Sequence, residues 1–321
     1  MATERPFVVN PVLTAVAIGW RNPDLAFVAD QVLPRIDVGA EQFKWLEYPI
    51  DEAFTAPDNF VGRRGAVPKV EFTAQERDGS VKAFALEDSL PLDDVRSARA
   101  MRDKGVSIYD PEKRATQMLA ELSDVLREQR VARAVVDPAN YAAASVTNIA
   151  VAGERFDDPD SDPDSVISAA LQSVMIYRPN RCVMGEGVWD KLRKHQKLVQ
   201  AVKGHTTGAG KITREEFVSY FELSMLSIGK GWMNTAAKGQ PANKQRIWGK
   251  DIAFHWINAA VGPEGGVTWG FSPTFGSKFT GTFDDVHGGG IEGARVIRVG
   301  ERISELVVAK AAGALIQNAI S

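Results

Sequence analysis

The sequence predicts a mixed α+β protein. Three observations lead there: one very long amphipathic helix at about the first third, strands separated by helices from residue 181 onward, and a strand-rich return at the C-terminal end. The 321 residues suggest about two domains, and 44% hydrophobic with 25% charged residues is ordinary for a folded chain.

The long helix is the best specified element. Asp110 is a good N-cap and Pro111 suits the first helical position, where its missing N–H costs nothing. Ala115, Met118, Leu119, Leu122, Val125, Leu126, Ala132 and Val136 recur at steps of three and four, which predicts one buried face. Arg114, Glu121, Asp124, Arg127, Glu128 and Arg130 fall mostly off that stripe. Asp137-Pro138 ends it, because a residue before proline is pushed out of the helical region. At 1.5 Å per residue, helix 111–136 would be about 40 Å long. Such a rod calls for other parts of the chain to lie along it.

Residues 1–40 lack a clean period and are broken by Pro6, Pro11, Gly19, Pro23, Pro34 and Gly39. A turn at Asn22-Pro23-Asp24 leads into a short helix, 25–33. This segment has too little to build its own core and reads as an arm. A strand rich in aromatics covers 43–48, and its returning partner is expected at 80–87. The thirty or so residues between them, with Pro57, Gly62, Gly65, Pro68, Gly79 and the pair Arg63-Arg64, form a long excursion of the kind that usually has a job. Residues 89–109 read as a link. An acidic stretch at 154–165 precedes a helix at 164–175, where carboxylates suit the positive end. From there the expectations are a strand at 181–184, one helix over 188–202, a helix at 213–222 opened by the capping-box pair Thr213 and Glu216, and strands at 225–228 and 247–257. Residues 261–293 are glycine-rich, and the glycines and aromatics between 261 and 283 suggest hinge freedom. Strands at 295–299 and 304–308 and an apolar 314–320 close the chain, and no internal repeat is present.

Net charge is −3, so no global positive field draws the protein to nucleic acid or anionic lipid. Cys182 is the one cysteine, so no intrachain disulfide can form. Asn10-Pro11 interrupts the apolar run 7–18, and no stretch nears the roughly 20 apolar residues that span a bilayer. Neither a signal peptide nor a membrane segment is expected.

Catalytic motifs fail on inspection. Residues 203–213 suggest a phosphate-binding loop, but His205 stands where its first glycine should be, Ile212 follows Lys211, and a helix precedes it. The aspartates at 157–164 lack an EF-hand's spacing, since Pro163 and Ala169 occupy its glycine and glutamate positions. His195, His205, His255 and His287 are scattered without metal-ligand spacing. No catalytic, metal or cofactor residue is therefore expected.

The order of these parts resembles the major capsid proteins of tailed bacteriophages, which have the Hong Kong 97-like fold. Local stretches resemble that family too: Asn22-Pro23-Asp24 through Pro34, Arg178-Pro179-Asn180-Arg181-Cys182-Val183-Met184-Gly185, Trp248-Gly249-Lys250-Asp251, Val299-Gly300-Glu301 and Leu315-Ile316-Gln317-Asn318. The resemblance implies an N-terminal arm at 1–40 and an extended E-loop at 41–88. It implies a P-domain from 89–157 and 291–321 around spine helix 111–136, with an A-domain at 158–290. Hexamers and pentamers would close an icosahedral shell around packaged double-stranded DNA in the virion, after assembly in the bacterial cytoplasm. Portal and decoration proteins are implied partners, with a separate scaffold protein during assembly. In such a shell Trp45, Tyr48, Arg63 and Arg64 are expected to contact an adjacent subunit. Lys69 and Lys82 are the lysines placed for the cross-links some relatives make, but no motif supplies a partner, so cross-linking is not expected. Two alternatives stay open: an encapsulin nanocompartment, which shares the fold, and a soluble α+β enzyme.

Overall fold

The computed structural model describes residues 8–19, 27–47, 56, 58–61, 65, 67, 69–70, 75–204, 210–237, 239–258, 266–287, 289 and 291–321. One helix, Pro111–Val136, runs along two β-sheets. Its start follows the local chemistry: the Asp110 carboxylate accepts from the Glu112 and Lys113 N–H groups at 3.1 and 3.2 Å. Asp137, extended before Pro138, ends it.

The first sheet has seven strands. Ala294–Ile303 lies at its centre, pairing antiparallel with Phe279–Asp285 and with Lys82–Pro91 along its whole length. Val8–Val9 borders Phe279–Asp285, while Gly270–Thr274 carries Arg35–Asp37 in parallel and Leu306–Val307 in antiparallel. The second sheet holds five strands in the order Val146–Asn148, Gly313–Gln317, Ile252–His255, Arg181–Gly185 and Met225–Gly229. Helices Pro163–Ser173, Glu186–Leu192, Gln196–Lys203 and Arg214–Tyr220 belong to the sheet's lobe, and all four bury apolar residues in its main core.

Both halves of the long helix are buried, against different partners. Ala115, Leu119 and Ala120 pack with Ala17, Ile297 and Val299 over the first sheet. Val131, Ala132 and Val135 pack with Val28, Val32, Leu33, Trp248 and Trp269. This corrects the predicted stripe. Met118, Leu122 and Leu126 are exposed, whereas Arg127 and Glu128 are buried, because the segment 28–33 supplies polar partners that no periodicity reveals.

Other expectations also shift. Gln42–Glu47 pairs with Gln75–Ser80 and not with 80–87; the chain then runs on as Lys82–Pro91 into the first sheet. The supposed link contains a helix, Leu92–Asp103, with no buried residue and therefore no apolar stripe to find. The helix expected at 188–202 is two, Glu186–Leu192 and Gln196–Lys203, broken where His195 takes an extended conformation. The 247–257 strand shrinks to Ile252–His255. Residues 295–299 and 304–308 become Ala294–Ile303 and Leu306–Val307. The glycine-rich stretch contains two strands, Gly270–Thr274 and Phe279–Asp285, with Trp269 fully buried beside them.

Candidate functional site

No group of three or more metal-ligating side chains exists among the described residues, and no helix among them is long and apolar enough to cross a membrane. The most elaborate polar construction is instead a junction, where the segment 28–33, the long helix and the second sheet meet. Glu128 sits at its centre, fully buried. Its carboxylate accepts from the Val28 N–H at 2.9 Å, the Ala29 N–H at 2.8 Å and the Trp248 indole N–H at 2.6 Å. Burial lifts its pKa above the ordinary carboxylate range, against the pull of those donors and of Arg127. A buried carboxylate with three donors is held firmly, and so are its donors.

Trp248 reaches Glu128 because two glycines make room. A Cβ on Gly229 would lie 1.9 Å from the Trp248 ring, and one on Gly185 would lie 2.7 Å from the Trp248 and Gly249 carbonyl oxygens. These glycines end the parallel strands Arg181–Gly185 and Met225–Gly229, side by side in register. The same two strands also hold the segment directly. The Ser227 hydroxyl donates to the Gln31 side chain at 2.8 Å, and Arg181 donates to the Gln31 carbonyl.

Beside this junction lies a chain of ion pairs. Arg127 meets Asp30 at 2.6 Å, Arg35 bridges Asp30 at 2.9 Å and Glu301 at 3.0 Å, and Arg130 meets Glu305 at 2.9 Å. Burial alone would raise the pKa of Asp30, but Arg127 and Arg35 outweigh it and hold the carboxyl below its usual value. The Arg130 guanidinium also lies 3.7 Å from the centre of the Phe84 ring. Arm, helix and first sheet are thereby tied by charge as well as by packing.

Past the far end of the helix, the Tyr141 hydroxyl donates to the Val135 carbonyl at 2.7 Å and meets His255 Nε2 at 2.8 Å. Trp269 stacks on both rings, and Gly313, opposite His255 in the sheet, leaves the space that its indole fills. Burial, with Arg181 nearby, lowers the His255 pKa to about 3. The folded chain therefore resists protonation that the unfolded chain accepts, and stability is lost as pH falls from about 6.5 toward 3. Between pH 6.5 and 4.5 the wild-type chain is expected to lose up to about 2.5 kcal/mol more than His255→Gln. Urea melts of both chains at the two pH values check this, and equal losses would refute it.

The predicted contact residues divide. Trp45 lies on Gln42–Glu47 opposite Arg77, with its side chain largely buried within the chain. Tyr48, Arg63 and Arg64 lie outside the described residues. Lys69 and Lys82 are exposed. The described part of the excursion carries exposed apolar side chains: Phe60 at 82%, Val67 at 73% and Val70 at 52%. No sequence signal marks the Glu128 junction, since its partners are 99 to 120 residues away.

Two sheets joined along one long helix, with an N-terminal segment clamped to it and a two-stranded hairpin extending one strand of the first sheet, define the Hong Kong 97-like fold. No protein-family model matches the chain. The major capsid protein of Pseudomonas phage JBD67 is 32% identical over 316 residues, covering 98% of both chains. That of Burkholderia phage BcepMu is 25% identical over 268 residues, covering 78% of this chain and 76% of its own. Among solved structures, a phage-related protein from Bordetella bronchiseptica superposes with a TM-score of 0.71 at 20% identity, covering 98% of this chain and 99% of that one. A virus-like particle from Pyrococcus furiosus gives 0.52 at 12% identity, covering 95% and 96%. The chain belongs to the bacteriophage major capsid proteins. It is a structural protein of the virion capsid, not an enzyme.

Proposed function

We propose that copies of this chain join as hexamers and pentamers that close an icosahedral shell around packaged double-stranded DNA. The observation that carries this reading is the excursion between Gln42–Glu47 and Gln75–Ser80, whose exposed Phe60, Val67 and Val70 leave apolar surface uncovered in the single chain. Laid on a neighbour, that surface would be removed from water. Ring contacts of this kind are heterologous, so each subunit offers two different surfaces. The excursion and its hairpin act as the E-loop, with Trp45 stiffening its base and Tyr48, Arg63 and Arg64 meeting the adjacent subunit.

Residues 1–40 serve as the N-terminal arm, anchored at 28–33 by Glu128 and Arg127. Helix Pro111–Val136 serves as the spine. Strand pairing favours a P-domain that includes residues 270–285, since these strands join the sheet of Ala294–Ile303. It favours an A-domain built on the five-stranded sheet, to which the chain returns with Gly313–Gln317. The implied partners are a scaffold protein during assembly and portal and decoration proteins in the finished particle.

Replacing 51–72 by a short glycine-serine linker keeps both hairpin strands and removes the excursion. The variant is expected to fold, to remain as small species in sedimentation, and to give no closed particles in negative-stain micrographs. Closed particles in wild-type yield would sink this role for the excursion. Nucleic acid recovered from particles made during infection, at genome length, separates a genome container from a cargo shell.

A further inference from the structure

The five-stranded lobe carries a polar cleft of about 400 Å³ between helix Glu186–Leu192 and the chain entering helix Arg214–Tyr220. Four cations line it, Arg193, Lys211, Arg214 and Lys230, against two carboxylates, Glu186 and Asp190. Both carboxylates are already engaged: Asp190 by Arg193 at 2.9 Å, and Glu186 by Arg246 at 2.5 Å with Lys230 at 4.0 Å. Lys211 and Arg214 are exposed and have no ion pair among the described residues. The cleft thus has cationic charge in excess of what the chain itself supplies with anions.

An opposite excess lies in the same lobe. Between Glu154 and Asp164 stand six carboxylates, and Glu154 and Asp160 are exposed with side chains that make no hydrogen bond or ion pair among the described residues. Asp162 caps helix Pro163–Ser173, and Asp164 meets the Tyr220 hydroxyl, so the two free carboxylates are not needed by the fold of that turn. No ion pair joins the turn to the cleft within one chain among the described residues.

We infer that the cleft receives the acidic turn of a second copy, with Glu154 and Asp160 meeting Lys211 and Arg214 across a subunit contact. This rests on the shell reading above. The contact is heterologous, cleft to turn, and suits a ring in which every copy uses both surfaces. Opposite charges brought together at a partly desolvated contact select partner and register, while like charges there oppose docking.

The test uses four full-length chains: wild type, K211E/R214E, E154K/D160K, and the quadruple variant carrying all four changes. Circular dichroism melts establish that each is folded, and sedimentation with negative stain reads assembly. Wild-type particles establish the shell reading separately; a wild type that never assembles refutes that reading and this contact with it. Each double variant alone is expected to lose at least tenfold in assembled fraction at low salt. The quadruple variant is expected to recover it, because its cleft and turn are again opposite in sign. Mixing the two double variants should restore six-membered rings, where they can alternate, and not five-membered ones, where they cannot. Double variants that assemble like wild type overturn the proposal, as does a loss that neither the quadruple variant nor the mixture recovers. Should a charge-reversed chain fail to fold, K211Q/R214Q and E154Q/D160Q take its place, each expected to weaken assembly and its salt dependence; no change in either overturns the contact.

Discussion

Gly229→Ala is expected to lower the stability of the chain by about 3–5 kcal/mol, the sum of an overpacked core and a hydrogen bond lost from a buried carboxylate. The added methyl would lie 1.9 to 2.5 Å from three atoms of the Trp248 ring, closer than real Cβ contacts come. The ring has nowhere to retreat: Trp248 is only 2% exposed, and its N–H is fixed on Glu128 at 2.6 Å. Any movement that accommodates the methyl therefore also removes a donor from Glu128. Against a total stability of about 5–15 kcal/mol, this is a large fraction. The denaturation midpoint of unassembled Gly229→Ala measures it. Trp248→Ala supplies a control, since it removes all three ring atoms that the methyl would meet; Gly229→Ala should cost less in that background than in the wild type. Equal costs in both backgrounds would show that Trp248 is not what the glycine accommodates.

That junction also marks how far the sequence could be read. The long helix was legible to the residue, because Asp110, Pro111 and Asp137-Pro138 act through their own neighbours. The start of helix Arg214–Tyr220 was legible too, where Thr213 and Glu216 exchange hydrogen bonds at 2.8 and 3.2 Å, although the helix ends two residues before the expected 222. The face that the long helix buries was legible only in part, with Ala115, Leu119 and Ala132 buried as expected. Arg127 and Glu128 look like solvent-facing charges until Asp30, Val28 and Ala29 are brought to them from nearly a hundred residues away. The exposed Met118, Leu122 and Leu126 look like core for the converse reason: periodicity records which residues share a face, not whether anything covers it. Strand partners failed in the same way. Gln75–Ser80 and Lys82–Pro91 form a nearly continuous run interrupted only at Val81, and which strand borders each half depends on a return from residue 303. The resemblance to capsid proteins succeeded because it rested on the order of elements along the whole chain. Of the contact residues it implied, Trp45 is largely buried within the single chain, and Tyr48, Arg63 and Arg64 lie outside the described residues.

Glu128→Leu should release the arm. The substitution removes the acceptor and leaves the Val28 N–H, the Ala29 N–H and the Trp248 indole N–H buried beside a hydrocarbon. Each stranded donor costs about 1–3 kcal/mol, so leaving all three in place would consume much of the chain's stability. The less costly response is for the segment that carries two of them to leave its site and take water as the acceptor. Its remaining polar ties, through Asp30, Gln31 and Arg35, each have an exposed residue on the segment's side that can be rehydrated, and the packing of Val28, Val32 and Leu33 opposes release. Hydrogen exchange reads this directly: the Val28 and Ala29 amides are expected to lose protection by at least a hundredfold, while amides of Ile252–His255 in the second sheet keep theirs. In the same variant, protease cleavage should appear near residues 28–33 before it appears elsewhere in the described chain. Arg127→Met, which removes a charge partner but no acceptor, should leave the two amides protected. If Glu128→Leu left them as slow to exchange as in the wild type, the carboxylate would not be what holds the arm on the spine.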